Sequence, residues 1–162
     1  MVVCKALGAL FLVLSAFEAA RTLSRTYELE ILTIEGYIEL IRQVRTEVDI
    51  YALPIDEILK RCDGELLLRC GKEEDKTPED LLSLFSGAGG KRIKDRVAYK
   101  EIFEFCSDFG HNYREEELKR CDASIAVLEA RRDVLRGDVH NKKKMSYTLA
   151  LSAAAALVIL LI

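Results

Sequence analysis

The sequence predicts an all-α protein, an antiparallel helical bundle, and three observations support this. Apolar residues recur every three or four positions over long stretches, only two prolines interrupt the 162 residues, and no stretch of useful length alternates as a strand would. Both ends of the chain are strongly apolar. We therefore predict two long helices that continue into N- and C-terminal transmembrane segments, with shorter helices closing a cytoplasmic bundle between them.

The first predicted transmembrane helix covers residues 1–20, which are mostly apolar, with Lys5 and Glu18 as the charged residues. Two interpretations stay open for this segment, a cleaved signal peptide and a retained span. Glu18 stands where cleavage requires small neutral residues, and the helical periodicity continues into the following residues without a break. We therefore predict that the span is retained.

An amphipathic helix is predicted to follow from residue 21 to about residue 50, continuous with the first span. Its apolar stripe consists of Tyr27, Ile31, Ile34, Ile38, Ile41 and Val48. Arg45 fills one slot of this stripe, so it either reaches out to solvent or marks a contact with another protein. Gly36 is either a tolerated glycine or a point of close helix contact.

Shorter helices are predicted in the middle of the chain. Residues 51–54, Tyr-Ala-Leu-Pro, break the first long helix, and a helix from residue 54 to about 69 follows. Thr77 and Pro78 then read as the cap and first turn of a brief helix through Phe85. We interpret the glycine-rich residues 86–91 as a flexible turn, since they lack the residues that a phosphate-binding loop needs at positions 85 and 92.

The next predicted helix runs from about residue 94 to 109. Its apolar set is Val97, Tyr99, Ile102, Phe103, Phe105 and Cys106. Gly110 is placed to end it in the left-handed conformation, and Asn112 with Glu115 resembles a capping box that opens the final helix.

The final helix is predicted to begin in water and end in lipid. Residues 145–162 carry no charge, and 18 residues of helix reach about 27 Å, close to the hydrocarbon thickness of a bilayer. The preceding stretch carries an apolar stripe that is interrupted by Arg132. We interpret this stripe as a helix face presented to a protein partner. The stripe consists of Leu118, Cys121, Ile125, Leu128, Leu135 and Val139.

Charges beside the two predicted spans indicate the orientation in the membrane. Lys142, Lys143 and Lys144 precede the second span, and Arg21 and Arg25 follow the first. Because positive residues favour the cytoplasmic side, we predict that the middle domain, residues 21–144, lies in the cytoplasm of a two-span protein of the cell membrane. The three lysines are candidate contacts for anionic lipid.

The overall charge excludes one class of partner and leaves another open. The 24 basic and 27 acidic residues nearly cancel, so no strong basic field indicates binding to nucleic acid. Clusters of charge on the final helix form either a partner-binding surface or a solvated helix face. The candidate residues of this surface are Arg114, Glu115, Glu116, Glu117, Arg131 and Arg132.

Catalytic and metal-binding constellations are not predicted. The five cysteines include no C-x-x-C pair, and the acidic residues are spread over helix faces rather than set at ligand spacing. Cys106 and His111 are close in sequence, but nothing suggests a third group to orient them. We therefore predict a protein that is not an enzyme and holds no cofactor or metal.

Several short stretches resemble one known family. Arg45-Thr-Glu-Val-Asp-Ile-Tyr51 before Pro54-Ile-Asp-Glu-Ile-Leu59 is similar to its Thr-Glu-Ile helix end, tyrosine and Pro-Leu helix start. Residues 105–112 resemble its Phe-Gly-x-x-Leu-Gly-x-Ser-Asp corner, and Lys144-Met-Ser-Tyr before an apolar end resembles its close. This is the stage III sporulation protein AB family of endospore-forming Firmicutes. The chain departs from it at Cys106, Asn112 and Tyr113, where the family usually has glycine, serine and aspartate.

The resemblance implies a membrane platform subunit of the channel that connects the mother cell with the forespore. The family's helical domain is similar to the platform protein of type II secretion and type IV pilus machines. The implied partners are membrane lipids, other sporulation channel proteins and a cytoplasmic secretion-type ATPase, stage III sporulation protein AA. The alternative is a membrane-tethered helical interaction module outside sporulation, such as a signalling or phage-encoded protein.

Overall fold

Helices make up the regular structure of the chain. The computed structural model describes residues 2–51, 53–73 and 78–161, with part of the side chains described in the two terminal segments, and every regular element among them is helical. The elements are α1 Val2–Tyr51, α2 Ile55–Arg61, α3 Gly64–Arg69, α4 Leu81–Leu84, a π-helical turn Phe85–Gly89, α5 Gly90–Arg92, α6 Arg96–Asp108 and α7 Arg114–Leu161. The prediction of an all-α fold with two long helices is confirmed.

The chain divides into two compact units. One is the central domain, Leu29–Leu135, which lies inside the predicted middle domain 21–144, and the other combines the described residues before and after it. Most side chains of the predicted spans, 1–20 and 145–162, lie outside the described residues. Within the part of the chain that is described, no helix has an apolar stretch long enough to cross a membrane.

The two long helices run antiparallel through the central domain. Three ion pairs join them. Along these pairs the residue numbers increase on α1 and decrease on α7, as they do in antiparallel helices. The pairs are Arg42 with Glu129, Arg45 with Asp122, and Asp49 with Arg114. Arg45 can occupy a position in the apolar stripe because its guanidinium pairs with the Asp122 carboxylate on α7. Neither of the two roles predicted for Arg45 was an ion pair within the domain.

A single apolar core lies between α1, α6 and α7. The apolar stripes of all three helices contribute to it, because residues three and four positions apart share one helix face. Its members from these helices include Ile34, Ile38, Ile41, Val44, Ala98, Ile102, Phe105, Cys121 and Leu128. Of the predicted stripe of α7, Cys121 and Leu128 lie in this core and Ile125 and Leu135 pack against it. For these four residues the prediction of a face turned to a protein partner is wrong.

The predicted helix at residues 54–69 is two helices instead of one. Asp63 stands between them, and its carboxylate accepts a hydrogen bond from the Glu65 amide at 3.3 Å, which caps α3. Both short helices pack beside α1 in antiparallel order, since Arg61 pairs with Glu47 and Arg69 with Glu39. The cap on α3 explains the break that apolar periodicity alone did not predict.

Gly36 of α1 is a point of close helix contact, the second of its two predicted roles. A Cβ at this position would lie 3.2 Å from the Cβ of Arg69 and 3.3 Å from the Sγ of Cys70. The missing side chain therefore lets the end of α3 approach the backbone of α1 closely.

A tight crossing of two glycine segments replaces the flexible turn predicted for residues 86–91. Gly71 adopts a φ of 102°, and a Cβ on Gly89 would lie 2.2 Å from the carbonyl oxygen of Cys70 and 2.6 Å from the hydroxyl of Tyr37. That hydroxyl donates a buried hydrogen bond to the same Cys70 carbonyl at 2.9 Å. The glycines therefore serve close packing, and we call this place the glycine crossing.

Two helix starts differ from their predicted caps. Thr77 lies outside the described residues, and α4 is capped instead by Asp80, which forms a reciprocal capping box with Ser83. α6 begins two residues later than predicted because Asp95 caps it, accepting a hydrogen bond from the Ala98 amide. Glu30 of α1 adds a second cap, since its carboxylate accepts hydrogen bonds of 2.7 Å from the backbone amides of residues 94 and 95.

Candidate interaction surface

Arg114, the first residue of the predicted partner surface, forms hydrogen bonds within the central domain. Its guanidinium donates hydrogen bonds to the carbonyl oxygens of Val48 and Asp49 and to the Asp49 carboxylate. It thus holds the start of α7 against the end of α1 and satisfies carbonyl groups that a helix end leaves without partners.

Glu117 is buried at the corner between α6 and α7, with 4% of its surface exposed. One carboxylate oxygen accepts hydrogen bonds from the Gly110 amide at 3.0 Å, the Asn112 amide at 3.1 Å and the Asn112 side-chain amide at 3.3 Å. Gly110 has the predicted left-handed conformation, with a φ of 92°. The corner is therefore closed by Glu117, and the predicted capping box of Asn112 with Glu115 is not formed.

Arg131 and Arg132 also form ion pairs within the domain. The Arg131 guanidinium donates hydrogen bonds of 2.9 and 2.6 Å to the two carboxylate oxygens of Asp95. Hydrogen bonding from Arg131 holds the pKa of Asp95 below its ordinary value. Arg132 pairs with its neighbour Asp133 at 2.8 Å. Arg131 thus ties the start of α6 to α7.

The predicted partner surface is therefore not one contiguous exposed patch. Its exposed members that form no ion pair among the described residues are Glu115 and Glu116, in the first turn of α7. Arg131 is about 22 Å further along the helix axis at 1.5 Å per residue. Arg114, Glu117 and Arg131 stabilise the fold through the contacts described above, whereas Arg132 pairs with its neighbour in sequence.

The candidate lipid contacts belong to the other compact unit. The side chain of Lys144 is exposed, and those of Lys142 and Lys143 lie outside the described residues. Contact of these lysines with anionic lipid stays a prediction.

A pair of aromatic side chains on α6 is exposed on the surface of the central domain. Tyr99 and Phe103 stack with ring centroids 6.4 Å apart and planes 7° from parallel, and 42% and 43% of their surfaces are exposed. Both rings contact buried Phe85, whose centroid lies 5.0 Å from that of Tyr99 and 6.1 Å from that of Phe103. The pair is therefore held in place from below and open to solvent above.

Basic side chains share the helix face of this pair. Arg96, Tyr99, Lys100 and Phe103 occupy positions i, i+3, i+4 and i+7, which lie on one side of a helix. Arg96 and Lys100 are exposed, and Lys100 pairs with Glu104 at 3.5 Å near the edge of the face. We call these four residues the aromatic-basic face. The sequence predicts Tyr99 and Phe103 as part of the apolar set of this helix, whereas the structure exposes both rings.

The described cysteines are unsuited to nucleophilic chemistry. Cys62, Cys70, Cys106 and Cys121 are all buried and unbonded. Burial raises the pKa of the Cys106 thiol to about 12, and it raises the pKa of Cys62 to about 11. His111, the partner considered for Cys106, is exposed, and its ring nitrogen lies 3.3 Å from the Asp108 carbonyl oxygen.

A cleft of about 610 Å³ lies beside the glycine crossing, and its chemistry is limited. In the part of the chain that the structure describes, its charged lining side chains are Lys72, Glu73, Glu79 and Lys91, and no cysteine or histidine lines it. Among the described side chains, no group of three histidine, cysteine or acidic residues is placed to hold a metal ion. The aromatic-basic face combines exposed rings with exposed basic groups, which suits it to binding a protein.

No protein-family model, curated protein or solved structure matches this chain.

Proposed function

We propose that this chain is a non-enzymatic scaffold subunit whose central domain docks a partner protein through the aromatic-basic face. The observation that carries the proposal is the exposure of Tyr99 and Phe103 on the buried support of Phe85. Aromatic side chains with adjacent arginine are the groups enriched at the energetic centres of protein interfaces. A pair that is already ordered loses little side-chain entropy on binding.

The setting that we propose for this scaffold is a membrane. Residues 1–20 and 145–162 would be its two spans, Lys142, Lys143 and Lys144 would contact lipid, and the central domain would lie in the cytoplasm. The apolar ends of the chain and the charges beside them support this arrangement. Retention of the chain in the membrane fraction after an alkaline wash, and its release by detergent, would test it.

The channel between mother cell and forespore is the assembly that we propose for the scaffold. The resemblance to the stage III sporulation protein AB family supports this choice, with the secretion-type ATPase as the cytoplasmic partner and the other channel proteins as membrane neighbours. The alternative function is a membrane-tethered helical interaction module outside sporulation. The antiparallel helical bundle of the central domain suits either function.

A pull-down of the full chain against that ATPase tests the proposal. We expect binding in the low micromolar range or tighter, reduced about tenfold or more by Phe103→Ser because an interface aromatic contributes about 2 kcal/mol. The matched control is Val134→Ser, since Val134 is a 50% exposed apolar residue on α7. Equal loss in both variants, or binding that ignores Phe103→Ser, would contradict docking at this face.

Deletion of the gene in its host separates the two settings. The channel function predicts that engulfment proceeds and that forespore development then stops. Normal spore formation in the deletion strain would refute the channel function and favour the module outside sporulation.

A further inference from the structure

The charge around the aromatic-basic face differs in sign from that of the domain that carries it. The central domain, residues 29–135, holds 24 acidic and 17 basic side chains, a net charge of −7. Residues 91–100 hold five of the basic side chains and one acidic one. The segment that begins the face is therefore positive on a negative domain, and Glu101 and Glu104 follow it on α6.

The one acidic side chain in this segment is already used inside the fold. Asp95 caps α6 and binds the Arg131 guanidinium, and 9% of its side-chain surface is exposed. Lys91, Lys94 and Arg96 are exposed and form no ion pair among the described residues. Lys100 is 74% exposed and shares its charge with Glu104. The positive charge of residues 91–100 is therefore largely available to a ligand.

From these observations we propose that the aromatic-basic face binds a short acidic segment of a partner protein, in which carboxylates flank one or two apolar anchors. The anchors would pack on the rings of Tyr99 and Phe103, and the carboxylates would pair with Arg96 and Lys100. This inference rests on the proposed function, because it assigns a chemical class to the partner of the same face.

The size of the positive site favours a short segment over larger anionic partners. At physiological ionic strength charges act over about 8 Å, so a peptide meets mainly the local basic groups. A nucleic-acid backbone or an anionic bilayer extends well beyond that distance, over surface whose net charge is negative, and is repelled there. A second copy of the central domain carries the same net negative charge, which opposes association.

The test uses the full chain in a non-ionic detergent and a labelled synthetic helical peptide. In this peptide glutamates surround two phenylalanines one helical turn apart, and a second peptide has glutamine at every glutamate. Binding is measured by fluorescence anisotropy at about 50 mM and about 300 mM salt, which brackets strong and weak screening. Vesicles with phosphatidylglycerol and a single-stranded oligonucleotide serve as alternative anionic probes.

We expect the glutamate peptide to bind, the glutamine peptide to bind about tenfold more weakly, and added salt to weaken the first. The double variant Arg96→Glu with Lys100→Glu should lose tenfold or more, since each reversed charge replaces an attraction with a repulsion. The matched control is Lys119→Glu, because Lys119 is exposed on α7 and is not one of the four residues of the face, and it should change affinity less than twofold. These exposed substitutions leave the core intact, which circular dichroism checks.

Equal affinity of the double variant and the wild-type chain for the glutamate peptide would overturn the proposal. Binding of the vesicles or the oligonucleotide through Arg96 and Lys100, with no peptide binding, would overturn it as well. The double variant also distinguishes this failure from failure of the proposed function. If the ATPase still binds the double variant but not Phe103→Ser, docking at the face stands and the acidic class of partner is wrong.

Discussion

Substitution of Gly89 by alanine is the sharpest test of the glycine crossing. The added Cβ would lie 2.2 Å from the Cys70 carbonyl oxygen and 2.6 Å from the Tyr37 hydroxyl, both inside any normal contact distance. The Cys70 oxygen belongs to the backbone, so it can retreat only if the chain at the end of α3 moves. That movement also disturbs the buried hydrogen bond between the two groups.

The expected loss follows from three contributions. Overpacking a buried site costs about 1–3 kcal/mol, and disturbing a buried hydrogen bond adds about 1 kcal/mol or more. Replacing a helical glycine by alanine returns up to about 1 kcal/mol. The free energy of unfolding should therefore fall by about 1–4 kcal/mol, a substantial part of the roughly 5–15 kcal/mol that stabilises a typical domain.

Urea denaturation of the full chain in non-ionic detergent, followed by far-ultraviolet circular dichroism, measures this loss. Gly64→Ala is the matched control, because Gly64 lies at the start of α3 with nothing within 4 Å of a built Cβ. That variant should keep or slightly raise the unfolding midpoint. If Gly89→Ala unfolds at the same urea concentration as Gly64→Ala, the close approach of the two segments is refuted.

Two further predictions concern ionisable groups. Asp95→Asn keeps a capping side chain but loses the charge that pairs with Arg131, so we expect a loss of about 1–2 kcal/mol at pH 7. The pKa of Asp95 is lowered in the fold, so this stabilisation is present above the ordinary carboxyl pKa of about 4 and is lost as pH falls through the lowered pKa. Urea titrations of both proteins should therefore diverge near neutrality and approach each other in acid, and a stability gap that does not narrow as pH falls would refute the pairing. In a Cys4→Ser background, burial and raised pKa values should keep the remaining four thiols unreactive toward Ellman's reagent at pH 8 until urea unfolds the chain, and rapid native labelling would contradict their burial.

Local periodicity predicted the helices well, because the property it measures is local. The stripes at Ile34, Ile38 and Ile41 and at Cys121 and Leu128 needed only the repeat of a helix to be recognised, and all are buried. What the stripe of α7 packs against could not be read in this way. A core and a partner protein impose the same apolar spacing on a helix.

Features that depend on residues distant in sequence could not be predicted from local sequence patterns. Arg45 fits an apolar stripe because Asp122 lies opposite it on a helix 77 positions away. The glycine-rich segment suggested flexibility because glycine permits many conformations, whereas its packing depends on Gly71 and Tyr37 elsewhere in the chain. Neither partner can be identified without the arrangement of the helices.

The candidate site was missed although its spacing was visible. Tyr99 and Phe103 were placed in the apolar set of α6, but Ala98, Ile102 and Phe105 already supply a complete buried face. Apolar residues on a second face, interleaved with basic ones, were the available signal. The sequence instead predicts a partner surface at the charged clusters on α7, where Arg114, Glu117 and Arg131 have partners inside the fold.

The line of aromatic rings from the core to the surface gives the protein a built-in optical reporter. Tyr37 contacts Phe85 at a centroid distance of 5.9 Å, and Phe85 contacts Tyr99 at 5.0 Å. The chain has no tryptophan and six tyrosines, so tyrosine dominates its near-ultraviolet circular dichroism and its emission. Occupancy of the aromatic-basic face can therefore be followed from Tyr99 without a label, with Tyr99→Phe as the spectral blank.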